Sequence, residues 1–325
     1  VKLIRGLYNL KQCSGTEGLA AGSRSATAGA VLTVGAFDGL HRGHQTVLKH
    51  VVAMAAERKV KSIVLTLDPL PREFFFPLSA PPRLMSFREK FEGLQSLGID
   101  LMLLIKFDDK LRNVEASTFI NDIFINTLQI GHVVIGDDFR FGHDGKGDYN
   151  LLKKAGDADS FTVESTSTIQ SIDGGRVSSS RIRDLLQSAD FITAEKLLGR
   201  PYSISGKVGY GQQLASRLGV PTANVELHRL RAAMSGVYAT EARVQGEQTW
   251  WPAVANVGTR PTINDRTKAI LEVHMLGYDG KLYGRRITVR FRHKIRDEQK
   301  FDSIDDLKTQ IYKDIDYAKQ WFTKH

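Results

Sequence analysis

The stretch VLTVGAFDGLHRGH, residues 31 to 44, leaves few folds open to this chain. Val31 to Val34 is a compact apolar run. It breaks at Gly35, turns again at Gly39, and enters a helical segment carrying His41 and His44. A buried strand that feeds a glycine turn and then a helix aims backbone N–H groups and the positive helix end at one place, which suits a phosphate. Two histidines three apart share a helix face and add donors and tunable charge there. The residues alone also allow a pair that is exposed or only caps the helix. Zinc is the weaker alternative, because no HExxH pattern or third ligand lies nearby, and no Walker phosphate loop occurs.

The first half then alternates. Val47, Leu48, Val51, Val52 and Ala55 make a helical stripe, and SIVLTL (62–67) is a second buried strand, so the two strands should be parallel neighbours. A helix over 86–97, strand LMLLI (101–105), a helix with Phe119, Ile123 and Phe124 on one side, strand HVVIG (132–136) and FTVES (161–165) continue the pattern. The expected fold is α/β, a doubly wound parallel sheet with ligands at the carboxyl ends of its strands. GDDFRFG (136–142) follows such an end, where Asp137 or Asp138 suits a ligand hydroxyl, a metal or an ordinary turn. Residues 68–84, DPLPREFFFPLSAPPRL, hold more than half of the nine prolines and predict a rigid irregular loop. Phe74 to Phe76 are expected to pack, either in local core or as a wall for a flat ligand. SSSRIRDLLQS (178–188) opens with N-cap residues and continues as a helix. Its serines, with Arg176 and Arg183, offer hydroxyls and guanidinium forks to a phosphate, or form a plain cap beside surface arginines.

From Tyr202 the texture changes to short alternating runs between glycines: SISGKVGYG, GVYATEARV, WWPAVANVG, AILEVHML and RRITVRFRH. That spacing predicts an antiparallel barrel or sandwich. Ser303 then caps a last helix with Leu307, Ile311, Ile315 and Ala318 on its apolar face. The domains are expected at 1–186 and 187–325. In LGVPTANVEL (218–227), Thr222 and Asn224 set two neutral oxygens two residues apart, as Mg²⁺ shared with phosphates would use, or as a polar turn would carry. Glu272 shares one strand face with His274, which reads either as a solvated sheet face or as a functional acid. NVGTRPT (256–262) is a Gly/Pro turn that begins at Asn256 and contains Arg260.

Composition narrows the classes. A chain of 325 residues exceeds one ordinary core. A single cysteine, Cys13, excludes a disulfide framework and a four-cysteine zinc site, and fits a reducing cytoplasm. No apolar run reaches the roughly 20 residues of a membrane span. VKLIRGLYNLKQ has scattered apolar residues and no cleavage pattern after it, so it is not expected to be a signal peptide, and residues 14–30 read as a flexible loop. The formal charge of +9 is dispersed. Basic residues are not interleaved with aromatics on one face, so phosphorylated small molecules are expected as partners, with no nucleic acid and no membrane.

In order, GAFDGLHRGH, the proline-rich loop, GDDFRFG and RVSSSRIR resemble the prokaryotic bifunctional riboflavin kinase/FMN adenylyltransferases, also called FAD synthetases. PTAN, GVYA (236–239), NVGTRPT, LEVHML and IRDEQKF are similar to that family's riboflavin kinase module, a small β-barrel with a terminal helix. The resemblance spans nearly the whole chain and implies a bifunctional transferase. It phosphorylates riboflavin with ATP to FMN and ADP, then adenylylates FMN with ATP to FAD and pyrophosphate, with Mg²⁺ assisting and no tightly bound prosthetic group. By resemblance, His41 and His44 are catalytic, and Gly35, Phe37, Asp38, Gly39, Asp138, Arg176, Ser179, Ser180 and Arg183 bind nucleotide. Thr222 and Asn224 hold ATP and Mg²⁺, Glu272 is the base for the ribityl hydroxyl, and Asn256 and Arg296 lie toward the flavin. Two departures stand out. Ala36 replaces a residue that is often polar in relatives. The loop GYGQQLASRLG (209–219) has fewer glycines and positive charges than the family pattern, which motivates an alternative: an adenylyltransferase with a kinase-weak flavin-binding module.

Overall fold

The computed structural model describes residues 1–13, 27–159, 161–166, 175–210, 219–229, 231–261 and 267–325. The chain forms two compact units. One comprises Val1–Pro81 with Lys90–Val177, the other Pro82–Glu89 with Ser178–His325.

The first unit is built on β1 (Lys2–Arg5), β2 (Val31–Val34), β3 (Ser62–Asp68), β4 (Leu101–Lys106), β5 (His132–Gly136) and β6 (Thr162–Thr166). They form one sheet in the order β1-β4-β3-β2-β5-β6, and every pairing is parallel. Buried on both faces, β2 to β5 read as near-continuous apolar runs. Leu32, Ile63, Leu65, Leu103 and Val133 join Phe119, Ile123 and Phe124 in one core cluster. The five strands read from the sequence are all present. β1 is a sixth, at the sheet edge, where Ile4 is the buried residue of a four-residue strand. The helix bearing Phe119, Ile123 and Phe124 is α-helical over Ala116–Phe119 and π-helical over Ile120–Thr127.

The proline-rich loop contains a short helix, Pro71–Phe75. The reading of Phe74 to Phe76 as local core is corrected: Phe74 and Phe75 meet Phe107 edge-on and Phe76 tilts against Phe75, but Phe75 is 48% and Phe76 61% exposed. Of the loop read over 14–30, residues 14–26 lie outside the described residues.

The second unit holds β7 (Ser203–Gly209), β8 (Ala223–Val225), β9 (Gly236–Val244), β10 (Trp251–Pro261), β11 (Thr267–Met275) and β12 (Arg286–Arg296). They close into an antiparallel barrel in the order β10-β11-β8-β7-β12-β9. Alternation along each strand sends Ala253, Ala255, Val257, Leu271 and Val273 inward, and all five are buried. The helix Ile304–Lys324 starts at Ser303, whose Oγ accepts the Asp306 N–H at 3.1 Å, and it buries Asp314, Ile315 and Ala318.

Candidate active sites

In the first sheet β2 pairs with β3 on one side and β5 on the other. The winding reverses there, and crevices at such reversals, outside the carboxyl ends of strands, are where open α/β sheets bind ligands. GAFDGLHRGH follows β2 and GDDFRFG follows β5. The turn after β2 is tightly wound. Phe37, Gly39 and Leu40 take φ of 48°, 84° and 43°, so two non-glycine residues are held in the left-handed region. Such strain persists where the surroundings over-determine it, as they do at ligand sites. A side chain at Gly35 would meet the Phe37 ring at 3.1 Å. Phe37 is buried and sits edge-on to the His44 ring, at 5.2 Å between centroids.

His41 stands one step outside the helix. It is the N-cap of Arg42–Glu57, and its Nδ1 accepts the His44 backbone N–H at 3.2 Å. The spacing predicts both histidines in the helix; extended backbone at His41 (φ −66°, ψ 169°) makes it the cap instead. The two rings nevertheless stack, 3.6 Å apart and 17° from parallel. Capping fixes Nδ1 of His41 as an acceptor, which puts its ring proton on Nε2 when neutral. His41 is buried, and so is Asp38 in the same turn. His44 keeps some exposed surface, while its Nδ1 is buried and has no hydrogen-bond partner. Burial, then His41, then Lys90 hold its imidazole well below the usual histidine range, so it is neutral at pH 7.

After β5, Asp138 and Arg176 meet each other: Arg176 Nη2 donates to Asp138 Oδ2 at 2.6 Å, and both side chains are mostly exposed. That bond, with the carboxylate charge, raises the guanidinium pKa further. Ser179 and Ser180 open the helix Ser179–Gln187, and Ser178 caps it by accepting the Arg181 N–H at 3.2 Å. Arg183 Nε donates to the Pro82 carbonyl at 2.7 Å.

On the barrel, register aligns the second group of residues. Asn224 of β8 pairs with Glu272 of β11, and Glu272 pairs with Asn256 of β10. Directly paired residues in an antiparallel sheet share a face with Cβ atoms about 5 Å apart. All three are partly exposed, while their neighbours Ala223, Val225, Leu271, Val273, Ala255 and Val257 point into the barrel. Thr222 lies two residues before Asn224 and is partly exposed like it. Two neutral side-chain oxygens with a carboxylate in the next strand fit Mg²⁺ bound jointly with substrate phosphates, since Mg²⁺ prefers few protein oxygens and shares the rest. Among the described residues, no three His, Cys, Asp or Glu side chains are grouped to hold a metal by themselves.

Two residues given no role in the sequence reading join this row. His274 Nδ1 donates to the Pro221 carbonyl at 2.8 Å and so anchors the turn before Thr222. The Glu298 carboxylate fills the space where Gly258 lacks a side chain. Its desolvation pushes the Glu298 carboxyl up, with Arg296 opposing and Glu272 adding. Arg296 is engaged elsewhere: its Nε and Nη2 grip the buried Asp314 at 2.8 to 3.1 Å, and Gln310 supports the same carboxylate. In the loop 209–219, Tyr210 stacks on Tyr283 at 4.7 Å, and residues 211–218 lie outside the described residues. So does the side chain of Arg260.

Known proteins agree with this division of labour. The FAD synthetase family matches residues 23–181 and the riboflavin kinase family matches residues 198–322. The bifunctional riboflavin kinase/FMN adenylyltransferase of Pseudomonas fluorescens is 44% identical, over 98% of this chain and 97% of that protein. The protein of the same name from Escherichia coli K12 is 41% identical, over 99% and 98%. A crystal structure described as a macrolide-efflux protein from Streptococcus pneumoniae superimposes with a TM-score of 0.75 at 26% identity, over 99% of this chain and 100% of that one. Efflux is said of that protein; among the described residues here, no helix is long and apolar enough to cross a membrane. With both families matched in order and relatives above 40% identity over the full length, the chain belongs to the bifunctional riboflavin kinase/FMN adenylyltransferases.

Proposed function

We propose that the barrel unit converts riboflavin and ATP to FMN and ADP, and that the sheet unit converts FMN and ATP to FAD and pyrophosphate. The observation that carries this reading is the presence of two differently built sites. A strained glycine turn with two stacked histidines sits where the parallel sheet reverses. A carboxylate flanked by two asparagines lies across three barrel strands.

In adenylyl transfer an FMN phosphate oxygen attacks the α-phosphorus of ATP in line, and pyrophosphate leaves. No covalent enzyme intermediate is needed, so positioning and charge neutralisation supply the rate. His41 and His44 donate to phosphate oxygens as negative charge builds on the leaving group. The backbone of Gly35, Phe37, Asp38 and Gly39 cradles the nucleotide, and Arg176 binds its phosphates, with Asp138 beside it. Arg176 exchanges its Asp138 partner for phosphate when ATP arrives. In phosphoryl transfer, Glu272 takes the proton from the ribityl 5′-hydroxyl as that oxygen attacks the γ-phosphorus, and ADP leaves. Thr222 and Asn224 hold Mg²⁺, which neutralises phosphate charge when bound. Asn256 faces the flavin. Arg296 supports the flavin site through its clamp on Asp314. ATP serves as co-substrate in both steps, and a chain with a single cysteine suits a reducing cytoplasm.

Product analysis with riboflavin and FMN offered separately tests this. Both should be consumed with ATP and Mg²⁺. His41→Ala should depress FAD formation from FMN about 100-fold or more and spare FMN formation from riboflavin. Glu272→Gln should do the reverse. If the native protein turns FMN into FAD but leaves riboflavin untouched, the bifunctional reading fails and the kinase-weak module takes its place.

A further inference from the structure

The turn that presents the two histidines carries backbone strain at Phe37 and Leu40, and two side chains grip its carbonyls. Gln45 Nε2 donates to the Leu40 carbonyl at 2.7 Å, and Lys90 Nζ donates to the Ala36 carbonyl at 2.6 Å. Lys90 belongs to the helix Phe87–Ser96 and is 7% exposed. Burying an ammonium is costly, so a lysine kept there is doing something an apolar residue could not. Its charge reaches the site: it is one of the causes that keep the His44 imidazole neutral, after burial and His41. The titratable groups acting on His44 are His41 on its own segment and Lys90 on the facing helix. With the two rings stacked at 3.6 Å, two imidazolium charges would repel strongly.

We propose that Lys90 is a positioning residue for adenylyl transfer: it pins the Ala36 carbonyl of the strained turn and sets a fixed positive charge beside the two histidines. A fixed ammonium already oriented by the fold needs no reorganisation when charge develops on pyrophosphate. The bond goes to the backbone of residue 36, so the side chain there has no part in it. The inference rests on the assignment of the two histidines to the ATP phosphates.

The test uses the full-length protein. Lys90→Gln keeps a donor for the Ala36 carbonyl and removes the charge, whereas Lys90→Arg keeps the charge. Removing a nearby positive charge favours imidazolium, so in Lys90→Gln the His44 ring should titrate at higher pH, read by NMR. FAD formation should fall about 10- to 100-fold. Lys90→Arg should stay nearer the native protein in both measurements. A thermal melt and the dispersion of the NMR spectrum of the same sample report that the sheet unit is folded. Native titration of His44 in Lys90→Gln, or native FAD formation, overturns the proposal. So does titration of His44 in the ordinary histidine range in the native protein, whatever the variants do. Failure of the histidine assignment looks different: His44→Ala would then make FAD at the native rate, while the effect of Lys90 on the His44 titration in other variants would still be read.

Discussion

Gly43, the glycine between His41 and His44 in the sequence, has its reason in the ring beside it. A Cβ there would lie 3.1 Å from Cε1 and Nδ1 of His41, closer than such contacts normally run. Nδ1 is the atom that caps the helix. Gly43→Ala therefore sets two effects against each other. The helix gains up to about 1 kcal/mol from a better helix former, and the His41 ring must turn away. Displacement of a positioning group by a fraction of an ångström to an ångström costs up to about 100-fold in rate. The expected variant is as stable as the native protein, or slightly more so, yet makes FAD at least tenfold more slowly. A thermal melt and an FMN-to-FAD assay on one preparation check this, and an unchanged rate would count against the ring contact. At this scale the histidine pair was legible, because spacing and flanking glycines survive in a string of letters. That His41 caps the helix was not, because cap and first turn differ by one pair of backbone angles. Lys90 was not legible either: it is 54 residues from Ala36 and sits in an ordinary amphipathic helix.

Among the elements, β11 shows how alternation alone sorts structure from function. Leu271, Val273 and Met275 fill the barrel, and Glu272 and His274 face away from it. Both outward residues serve the same short strand. Glu272 pairs with Asn224 of β8, and His274 holds the Pro221 carbonyl that leads into it. β8 is only three residues long, too short to hold its own turn, and the histidine bond fixes where Thr222 begins. His274→Ala should weaken that turn by about 1 kcal/mol, the net worth of one hydrogen bond. About fivefold higher KM for ATP in riboflavin phosphorylation should follow, with FAD formation from FMN unaffected. Steady-state kinetics on both reactions decide the point; equal change in the two would remove His274 from the kinase site. Long alternating strands were readable here because each buries every second residue. β8 was not, since three residues do not establish a period, and β1 was not, since its four residues run from Lys2 to Arg5 and bury only Ile4. The π-helical stretch Ile120–Thr127 was hidden for a related reason: its apolar spacing passes for an α-helical one.

Over the whole molecule, the second unit is not one continuous segment. It takes in Pro82–Glu89 as well as Ser178–His325. Within that unit Arg229 is the fixed point. Its side chain is 1% exposed and pairs with Glu89 at 2.7 Å. It also donates to the carbonyls of Arg83 and Leu84. Glu89 in turn accepts the Ser205 N–H of β7 at 2.6 Å. The change of texture near residue 200 speaks only of strands and helices. A single ion pair between residues 140 apart leaves no periodic trace in the sequence, so the need of the barrel for this distant segment could not be read there. A fragment of residues 187–325 would therefore keep every barrel strand but lose the carboxylate and two carbonyls that satisfy a buried guanidinium. Breaking a buried pair by removing one partner costs about 3–5 kcal/mol, a large share of a small domain's stability. The fragment should unfold at markedly lower urea than the barrel of the intact protein. Glu89→Gln in the full chain, which removes the charge while keeping the backbone, should reproduce much of that loss. Equal urea midpoints for the fragment and the intact barrel would show that Arg229 finds other partners once Glu89 is gone, and that the strands alone carry the fold.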